Sequence, residues 1–325
     1  PMRGNTSGCA ATARYLIAER YCLMSDLKTE ICGVALANPV IAASGTFGFG
    51  REVDEFYPIE KLGAVAVKGL TLKPKKGNPP PRVSETPAGM LNSVGLQNPG
   101  VEAFIAQDLP WLAEKGVPVI ANINGTTIDE YCRVAEKLRG QPVKLIELNI
   151  SCPNVKKGGA NFGTDPNVIQ EVVSAVKSVS EQPLIVKLTP NVTDIVEMAQ
   201  AACEGGADAL SLINTLLGMA IDAKARKPIL GNVLGGLSGP AIKPVALRMV
   251  WQVANAVDVP VIGMGGIMTG EDAFEFLLAG ASAVMVGTAT LADPMGALRV
   301  AEEMDAFIES RGGGSAREWV GALQA

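Results

Sequence analysis

Short apolar runs rich in β-branched residues alternate with amphipathic stretches along most of the chain. The runs are continuous, which is typical of strands buried on both faces of a parallel sheet. Each is followed by a polar or glycine-containing break. The eight runs are PVIAAS (39–44), GAVAVKG (63–69), VPVIANI (117–123), VKLIELNI (143–150), PLIVKLT (183–189), ADALSLIN (207–214), VPVIGMG (259–265) and SAVMVGT (282–288).

Helices are predicted between these runs. Residues 165–180 carry valines at helical spacing, and Asp165 is suited to cap this helix because Pro166 follows at its first position. Further helices are predicted over 240–256, 270–278 and 293–310. Strands that alternate with helices predict an α/β fold, specifically a (β/α)8 TIM barrel with a parallel eight-stranded core. From local pattern alone, a doubly wound open sheet remains the alternative.

The carboxyl ends of the runs favour the barrel, since barrel enzymes collect their site at that rim. Nearly every run ends in small or functional residues: Ser44–Gly45, Lys68, Asn122, Asn149, Lys187, Asn214–Thr215, Gly265–Gly266 and Gly287–Thr288. Two connections, 70–99 and 216–239, are unusually long. Long connections at this rim often act as lids or binding walls.

A single barrel of this kind can use the whole length of 325 residues. We therefore predict one catalytic domain over residues 24–325. Residues 1–23 fit no part of the repeat, and the charges of Arg14, Glu19 and Arg20 make a secretory signal a poor match. We interpret this segment as an N-terminal extension without catalytic purpose.

Composition excludes several classes of function. The net charge is −5 and aromatic residues make up 5% of the chain, which argues against a nucleic-acid-binding face. No apolar run reaches the roughly 18 residues that a membrane span needs. The six cysteines are scattered with no C-x-x-C pair, which argues against iron–sulfur, zinc and disulfide frameworks. We predict a cytoplasmic protein without a metal site.

The chain contains no histidine. The commonest general base and the commonest metal ligand are therefore both missing. Any proton transfer has to use Cys, Lys, Asp, Glu, Ser, Tyr or a cofactor.

Glycines close the seventh and eighth runs, in IGMGG (262–266) and MVGTA (285–289). Glycine lets backbone N–H groups approach an anion, and these two loops form the usual phosphate site of a barrel. Tight turns that need a positive φ explain the same glycines without a ligand. The two motifs together favour a phosphate, and GGLSG (235–239) could offer further donors.

Two lysines, Lys68 and Lys187, lie at or near strand ends with apolar flanks. A buried lysine needs a partner, and for either residue alone a structural ion pair is the simpler interpretation. Matching positions on two strands suggest an anion that both residues share, such as an electron-rich ring or a carboxylate.

Asparagines form a third candidate set, because an amide can pair with the edge of a planar imide. Turn chemistry accounts for Asn98, which precedes Pro99. It accounts poorly for Asn149 and Asn214, because both end buried runs. Asn92 and Asn122 complete the set.

Cys152 lies just after a strand end in ELNISCPNVKKGG (147–159). Most cysteines are buried and inert, and Cys203 fits that pattern. A polar, cationic site lowers the pKa of a thiol. Without histidine, a Cys152 thiolate is the best proton acceptor that this rim can offer.

Longer strings of sequence resemble the dihydroorotate dehydrogenase family, most closely its class 1B catalytic subunits. The resemblance covers about residues 31–298 and is specific because the matching strings are long. They are ASGTFGFG, VKGLT, GNPPPRVSETPAGMLNSVGLQNPG, ELNISCPNVKKGG, VKLTPNV, INTLLGM, GGLSGPAIKPVALRMV and IGMGGI.

This resemblance implies a barrel that holds one FMN per chain and oxidises (S)-dihydroorotate to orotate in pyrimidine synthesis. It implies that Cys152 takes the C5 proton while the C6 hydride passes to the flavin. The family pattern places the substrate at Lys68, Asn92, Gly95, Leu96, Asn149, Asn214 and Thr215. It places the flavin at Ala43, Ser44, Gly45, Lys68, Asn122, Asn149, Lys187, Gly239, Gly265, Gly266, Gly287 and Thr288.

The class 1B resemblance also implies an electron-transfer subunit that carries FAD and a [2Fe–2S] cluster and passes electrons to NAD. A homodimer within a heterotetramer would be the assembly. Neither nucleic acid nor a membrane is expected as a partner.

Other functions remain open from the sequence. A class 1A enzyme would use fumarate, and an enzyme of the dihydropyrimidine dehydrogenase type would reduce uracil or thymine. A non-redox aldolase or isomerase could use Lys187 as a Schiff base and would be colourless. A purely binding role would leave Cys152 and the asparagines without a purpose.

Overall fold

The computed structural model describes residues 25–151 and 162–324. Its strands, in chain order, are β1 (Ser25–Asp26), β2 (Thr29–Ile31), β3 (Val34–Leu36), β4 (Val40–Ala42), β5 (Ala64–Ala66), β6 (Val83–Thr86), β7 (Gly89–Asn92), β8 (Val119–Ile123), β9 (Leu145–Asn149), β10 (Leu184–Lys187), β11 (Ala209–Leu212), β12 (Leu216–Met219), β13 (Ile221–Asp222), β14 (Lys227–Pro228), β15 (Leu234–Ser238), β16 (Val261–Met264), β17 (Ala283–Val286) and β18 (Gly314–Ser315).

Helices follow most of the long strands. They are α1 (Arg51–Asp54), α2 (Val101–Ala103), α3 (Leu109–Lys115), α4 (Ile128–Lys137), α5 (Pro166–Val179), α6 (Ile195–Glu204), α7 (Lys243–Ala254), α8 (Gly270–Leu278), α9 (Thr288–Ala292) and α10 (Gly296–Ser310). A π-helical turn, Phe104–Asp108, joins α2 to α3, and 3₁₀ turns cover Ile59–Lys61, Pro240–Ile242 and Ala316–Trp319.

Eight strands form a closed parallel barrel in the order β4, β5, β8, β9, β10, β11, β16, β17. The last strand pairs with the first through Val284 opposite Val40. Each of the eight apolar runs contains one barrel strand, so the predicted (β/α)8 barrel is confirmed. The closure rules out the open-sheet alternative.

Side chains alternate along each barrel strand between the helices and the interior. Interior positions near the amino ends are apolar, for example Ile120, Leu145 and Ile185. The hairpin of β2 and β3 adds Ile31 and Leu36, which are 0% and 2% exposed, to the same cluster. This hairpin therefore fills the amino end of the barrel.

The predicted helices are found, with small differences at their ends. Asp165 caps α5, since its side chain accepts a hydrogen bond from the backbone N–H of Asn167. The predicted helix over 240–256 begins with a 3₁₀ turn, and α10 begins at Gly296 rather than at residue 293. A separate short helix, α9, ends earlier, at Ala292.

The two long connections form an antiparallel sheet in the order β12, β15, β7, β6. The sequence pattern predicted walls here but no strands. Strand β6 alternates between exposed and half-buried positions, and β12 does the same. Their weak hydrophobic pattern explains why neither was recognised.

No helix in the described ranges is both long enough and apolar enough to cross a bilayer.

Candidate active site

A cavity of about 320 Å³ opens at the carboxyl ends of the barrel strands, between those ends and the antiparallel sheet. Apart from Cys152, every site residue predicted from the sequence lines it. Cys152 lies outside the described residues, in the interval 152–161. The structure thus gathers side chains from both halves of the chain around one space.

The antiparallel sheet contributes lining residues that sequence reasoning missed. Met90 and Ser238 occupy opposed positions on β7 and β15 and both face the cavity. The Ser238 hydroxyl accepts a hydrogen bond of 2.9 Å from the hydroxyl of Thr288, the first residue of α9, which ties the sheet to the helix that follows β17. The length of the two connections, Asn92 and the glycines of 235–239 pointed to this wall, but not its strands.

Gly265 and Gly266 require glycine for conformational and steric reasons. Their φ angles are +129° and +79°, a region that other residues adopt rarely. A Cβ atom on Gly266 would lie 2.9 Å from the backbone oxygen of Gly239. The tight-turn interpretation is therefore sufficient at this pair, although both residues also line the cavity.

Gly95 and Leu96 form an unusual turn at the cavity wall. Both have positive φ, +76° and +58°, and for leucine this conformation is strained. Asn98 stabilises the segment, because its side chain donates to the carbonyl of Leu96 at 2.7 Å and accepts from the N–H of Gly100 at 2.8 Å. The turn role expected for Asn98 is confirmed.

Glu147 is a fully buried carboxylate that sequence reasoning did not single out; it does not line the cavity but contacts Asn122, which does. Its Oε2 accepts a hydrogen bond of 2.5 Å from Nδ2 of Asn122, and its Oε1 accepts one of 2.8 Å from the hydroxyl of Ser211. Asn122 in turn accepts from Nδ2 of Asn124 at 2.8 Å. An acidic residue inside an apolar strand run was the available signal.

Lys187 is 4% exposed and lies above this carboxylate. Its Nζ is 3.9 Å from Oε2 of Glu147 and 3.3 Å from the hydroxyl of Ser44. The structural ion pair considered for a lone lysine is therefore present, at a distance near the upper limit for such pairs.

Lys68 differs from Lys187. Burial lowers the pKa of its ammonium group, because the charged form loses hydration. Among the described residues, no carboxylate lies within ion-pair distance of Lys68. Both lysines line the cavity, but only Lys187 has a carboxylate partner among the described residues. Lys68 is therefore the better placed of the two to pair with a bound anion.

Ser151 joins two of the predicted asparagines. Its hydroxyl donates to Oδ1 of Asn149 at 2.6 Å and accepts a hydrogen bond from Nδ2 of Asn214. The Oδ1 of Asn214 also accepts from the N–H of Thr215 at 2.9 Å. On the other side of the strand, Tyr131 donates its hydroxyl to the Asn149 carbonyl at 2.8 Å. These contacts fix the orientation of both amides at the strand ends.

The described thiols are remote from this chemistry. Burial raises the pKa of Cys32 to about 11 and also raises the pKa values of Cys132 and Cys203. None of these three residues lines the cavity. The described ranges also contain no cluster of acidic or thiol ligands that could hold a metal ion. The arrangement of amides, backbone groups and two cations suits a planar, anionic ligand.

Comparison with known proteins agrees with this chemistry. The family model described as dihydroorotate dehydrogenase matches residues 26–308. A protein of Alkaliphilus metalliredigens named dihydroorotate dehydrogenase B (NAD(+)), catalytic subunit, is 64% identical over 284 residues, which are 87% of this chain and 94% of that protein. A protein of Geotalea uraniireducens with the same name is 60% identical over 92% of this chain and 98% of its own length. One from Geobacter sulfurreducens is 58% identical over the same shares.

Proposed function

The chain belongs to the dihydroorotate dehydrogenase family, and we propose that it oxidises (S)-dihydroorotate to orotate in pyrimidine biosynthesis. The observation that carries this proposal is the identity of 57–64% to relatives named as catalytic subunits of the NAD(+)-linked B enzyme. The match extends over nearly the whole barrel. The relatives also match in length, since the aligned region covers 94–98% of their own chains.

FMN is the proposed cofactor, and the residues present fit its ring. Ile213, Met264 and Met285 line the cavity beside the buried cation of Lys187, a combination that suits a flat ring with one polar edge. A Cβ atom on Gly45 would meet no protein atom within 4 Å. The missing side chain at this position therefore leaves room for a ligand rather than for a neighbouring residue.

The proposed phosphate end of FMN is held by backbone N–H groups at Gly265, Gly266 and Gly287. Gly265 and Gly266 directly follow β16, the seventh barrel strand. Gly287 lies between β17, the eighth barrel strand, and α9. Backbone donors of this kind suit a phosphate because they need no side chain to reach it.

Orotate is a planar imide with a carboxylate group. In the proposed complex, Lys68 binds the carboxylate, and the backbone N–H groups of Gly95 and Leu96 assist. Asn92, Asn149 and Asn214, with Thr215, bind the imide edge, because an amide offers a donor and an acceptor together. The hydrogen bonds of Ser151 to two of these amides support this assignment by limiting their rotation.

Cys152 is the proposed base and removes the proton from C5 of dihydroorotate. FMN, when bound, accepts the hydride from C6. The three thiols in the described ranges have raised pKa values and do not line the cavity, so none of these three is a better candidate than Cys152. It directly follows Ser151 in the sequence.

The name "catalytic subunit" of the relatives implies a second subunit. We propose that this partner carries FAD and a [2Fe–2S] cluster and delivers electrons to NAD, and that two copies of each subunit form a heterotetramer around a catalytic homodimer. Cytoplasmic location is part of the same proposal.

A visible spectrum of the purified chain tests the proposal directly. We expect a flavin spectrum that is bleached anaerobically by dihydroorotate but not by dihydrouracil. A colourless protein would contradict it, and reoxidation by fumarate without any partner would instead identify a fumarate-linked enzyme. Reduction of NAD should require the partner subunit.

A further inference from the structure

Glu147 is the one buried carboxylate of the described barrel interior, and the proposed reaction assigns it no part. It lies between Leu145, which belongs to the apolar interior, and Asn149, which lines the cavity. Because side chains alternate along a strand, all three point into the barrel. Glu147 therefore occupies the level at which the apolar interior gives way to the cavity.

A carboxylate at this depth is costly unless it is compensated. Three neutral donors satisfy it: Asn122 at 2.5 Å and Ser44 at 3.4 Å on Oε2, and Ser211 at 2.8 Å on Oε1. The compensating charge, on Lys187, stays 3.9 Å away. Close contact with the neutral donors and a longer distance to the cation leave the ammonium group able to bind another acceptor in the cavity.

The charge balance at the cavity follows from these positions. Lys68 and Lys187 contribute two positive charges, and Glu147 contributes one negative charge just below them. A ligand that becomes more negative during the reaction is stabilised by the lysines and opposed by Glu147.

We infer that Glu147 is a positioning residue that holds Lys187 and Asn122 in place and, through its charge, lowers the reduction potential of the bound flavin. This inference rests on the proposed function in one respect, the identity of the ring that occupies the cavity. It assigns the carboxylate a role beyond joining strands β8, β9 and β11.

The size of the effect can be bounded by Coulomb's law. At an effective dielectric constant of ~20, a unit charge about 10 Å from a second charge changes an equilibrium constant by more than tenfold. For a two-electron couple, tenfold corresponds to about 30 mV. Removing the charge while keeping the shape, as in Glu147→Gln, should therefore raise the potential by at least this amount.

The test uses the purified flavoprotein and equilibrates it with redox dyes of known potential. Ser211→Ala is the matched control, because it removes a hydrogen bond to the same carboxylate without a change of charge. We expect Glu147→Gln to favour the reduced flavin at least tenfold and Ser211→Ala to change the equilibrium by less than threefold. A potential unchanged or lowered in Glu147→Gln, or an equal rise in Ser211→Ala, overturns the inference.

A second comparison covers the case in which Glu147→Gln does not fold. Lys187→Met alone leaves the carboxylate, whereas Lys187→Met combined with Glu147→Gln leaves a neutral pair. The double variant should have a potential at least about 30 mV above that of Lys187→Met, the tenfold expected for one unit charge. Equal potentials in these two variants, compared up to a pH at which the carboxylate left by Lys187→Met is ionised, would show that Glu147 contributes no charge to the flavin.

The two proposals fail in different ways. If the wild-type chain holds no flavin or is not reduced by dihydroorotate, the proposed function is wrong. If the wild type behaves as proposed and the Glu147 variants show no shift in potential, only the inference on Glu147 is wrong.

Discussion

The hydroxyl oxygen of Ser151 lies 2.6 Å from Oδ1 of Asn149, to which it donates a hydrogen bond. The same hydroxyl accepts a hydrogen bond from Asn214, so one buried group sets the orientation of two amides that come from different strands. We therefore expect Ser151 to influence ligand affinity although it does not line the cavity itself.

Ser151→Ala should weaken orotate binding about 3- to 30-fold, because two hydrogen bonds of ordinary strength are lost and both amides gain freedom. Titration of the flavin spectrum with orotate measures the change. Ser178→Ala, which removes an exposed hydroxyl on α5, is the control and should bind orotate as the wild type does. An unchanged affinity in Ser151→Ala would mean that the asparagines are oriented by other contacts.

Cys152→Ala should retain FMN but slow the reduction of the flavin by dihydroorotate at least about 100-fold, the usual cost of losing a general base. Stopped-flow absorbance under anaerobic conditions gives this rate. Cys203→Ala removes a half-buried thiol whose pKa is raised by burial and should leave the rate unchanged. If the Cys152 variant is reduced as fast as the wild type, the base is another group.

Lys68→Ala should weaken orotate binding about 10-fold or more, since a charge-assisted hydrogen bond is lost. The matched control is Lys144→Ala, at an exposed position just before the amino end of β9. It should bind orotate as the wild type does. Equal affinities of wild type and Lys68→Ala would remove Lys68 from the substrate site.

The affinity for orotate should also depend on pH through Lys68. Burial lowers the pKa of this ammonium group below the ordinary value of 10.5, and only the protonated form attracts the carboxylate. Affinity should therefore fall as pH rises through the lowered pKa, and the fall should begin at a lower pH than an exposed lysine would give. The difference between the pH profiles of wild type and Lys68→Ala isolates this effect, and identical profiles would argue against it.

Ile31→Ala should destabilise the fold by about 2–5 kcal/mol, the usual cost of a cavity left by a buried aliphatic side chain. Ile31 is fully buried where the β2–β3 hairpin meets the barrel interior. Unfolding in guanidinium chloride measures the loss. Ile221→Ala, at a position 60% exposed, should change the free energy of unfolding by less than about 0.5 kcal/mol.

Deletion of residues 1–23 should leave flavin content and activity unchanged, as expected for an extension without catalytic purpose. The barrel, the β2–β3 hairpin and the cavity are all built from residues after this segment. Flavin absorbance per chain and the rate of dihydroorotate oxidation are the measurements. Loss of either would show that the segment contributes to the folded enzyme.

The barrel could be predicted from sequence because parallel strands that are buried on both faces consist of continuous apolar runs. The strands of the antiparallel sheet could not, because residues such as those of β6 are half-exposed and carry little hydrophobic signal. The β2–β3 hairpin was missed for a related reason, since each of its short strands includes an exposed residue and so gives no continuous apolar run.

Residues at the cavity surface were easier to predict than those below it. Polar residues at strand ends, such as Asn149 and Lys187, stand out against the apolar runs before them. The role of Glu147 depends on Asn122, which lies opposite it on β8, and on Ser211, which comes from β11. These contacts depend on the closure of the barrel and on the register of its strands. Closure and register cannot be predicted from the sequence of one segment alone.

Filling the amino end of the barrel with Ile31 and Leu36 makes the described barrel a dead end rather than a tunnel. Orotate then has to depart by the route that admits dihydroorotate. Substrate and product would then exchange across the same rim of the barrel, and orotate that accumulates would occupy the cavity that the next dihydroorotate needs.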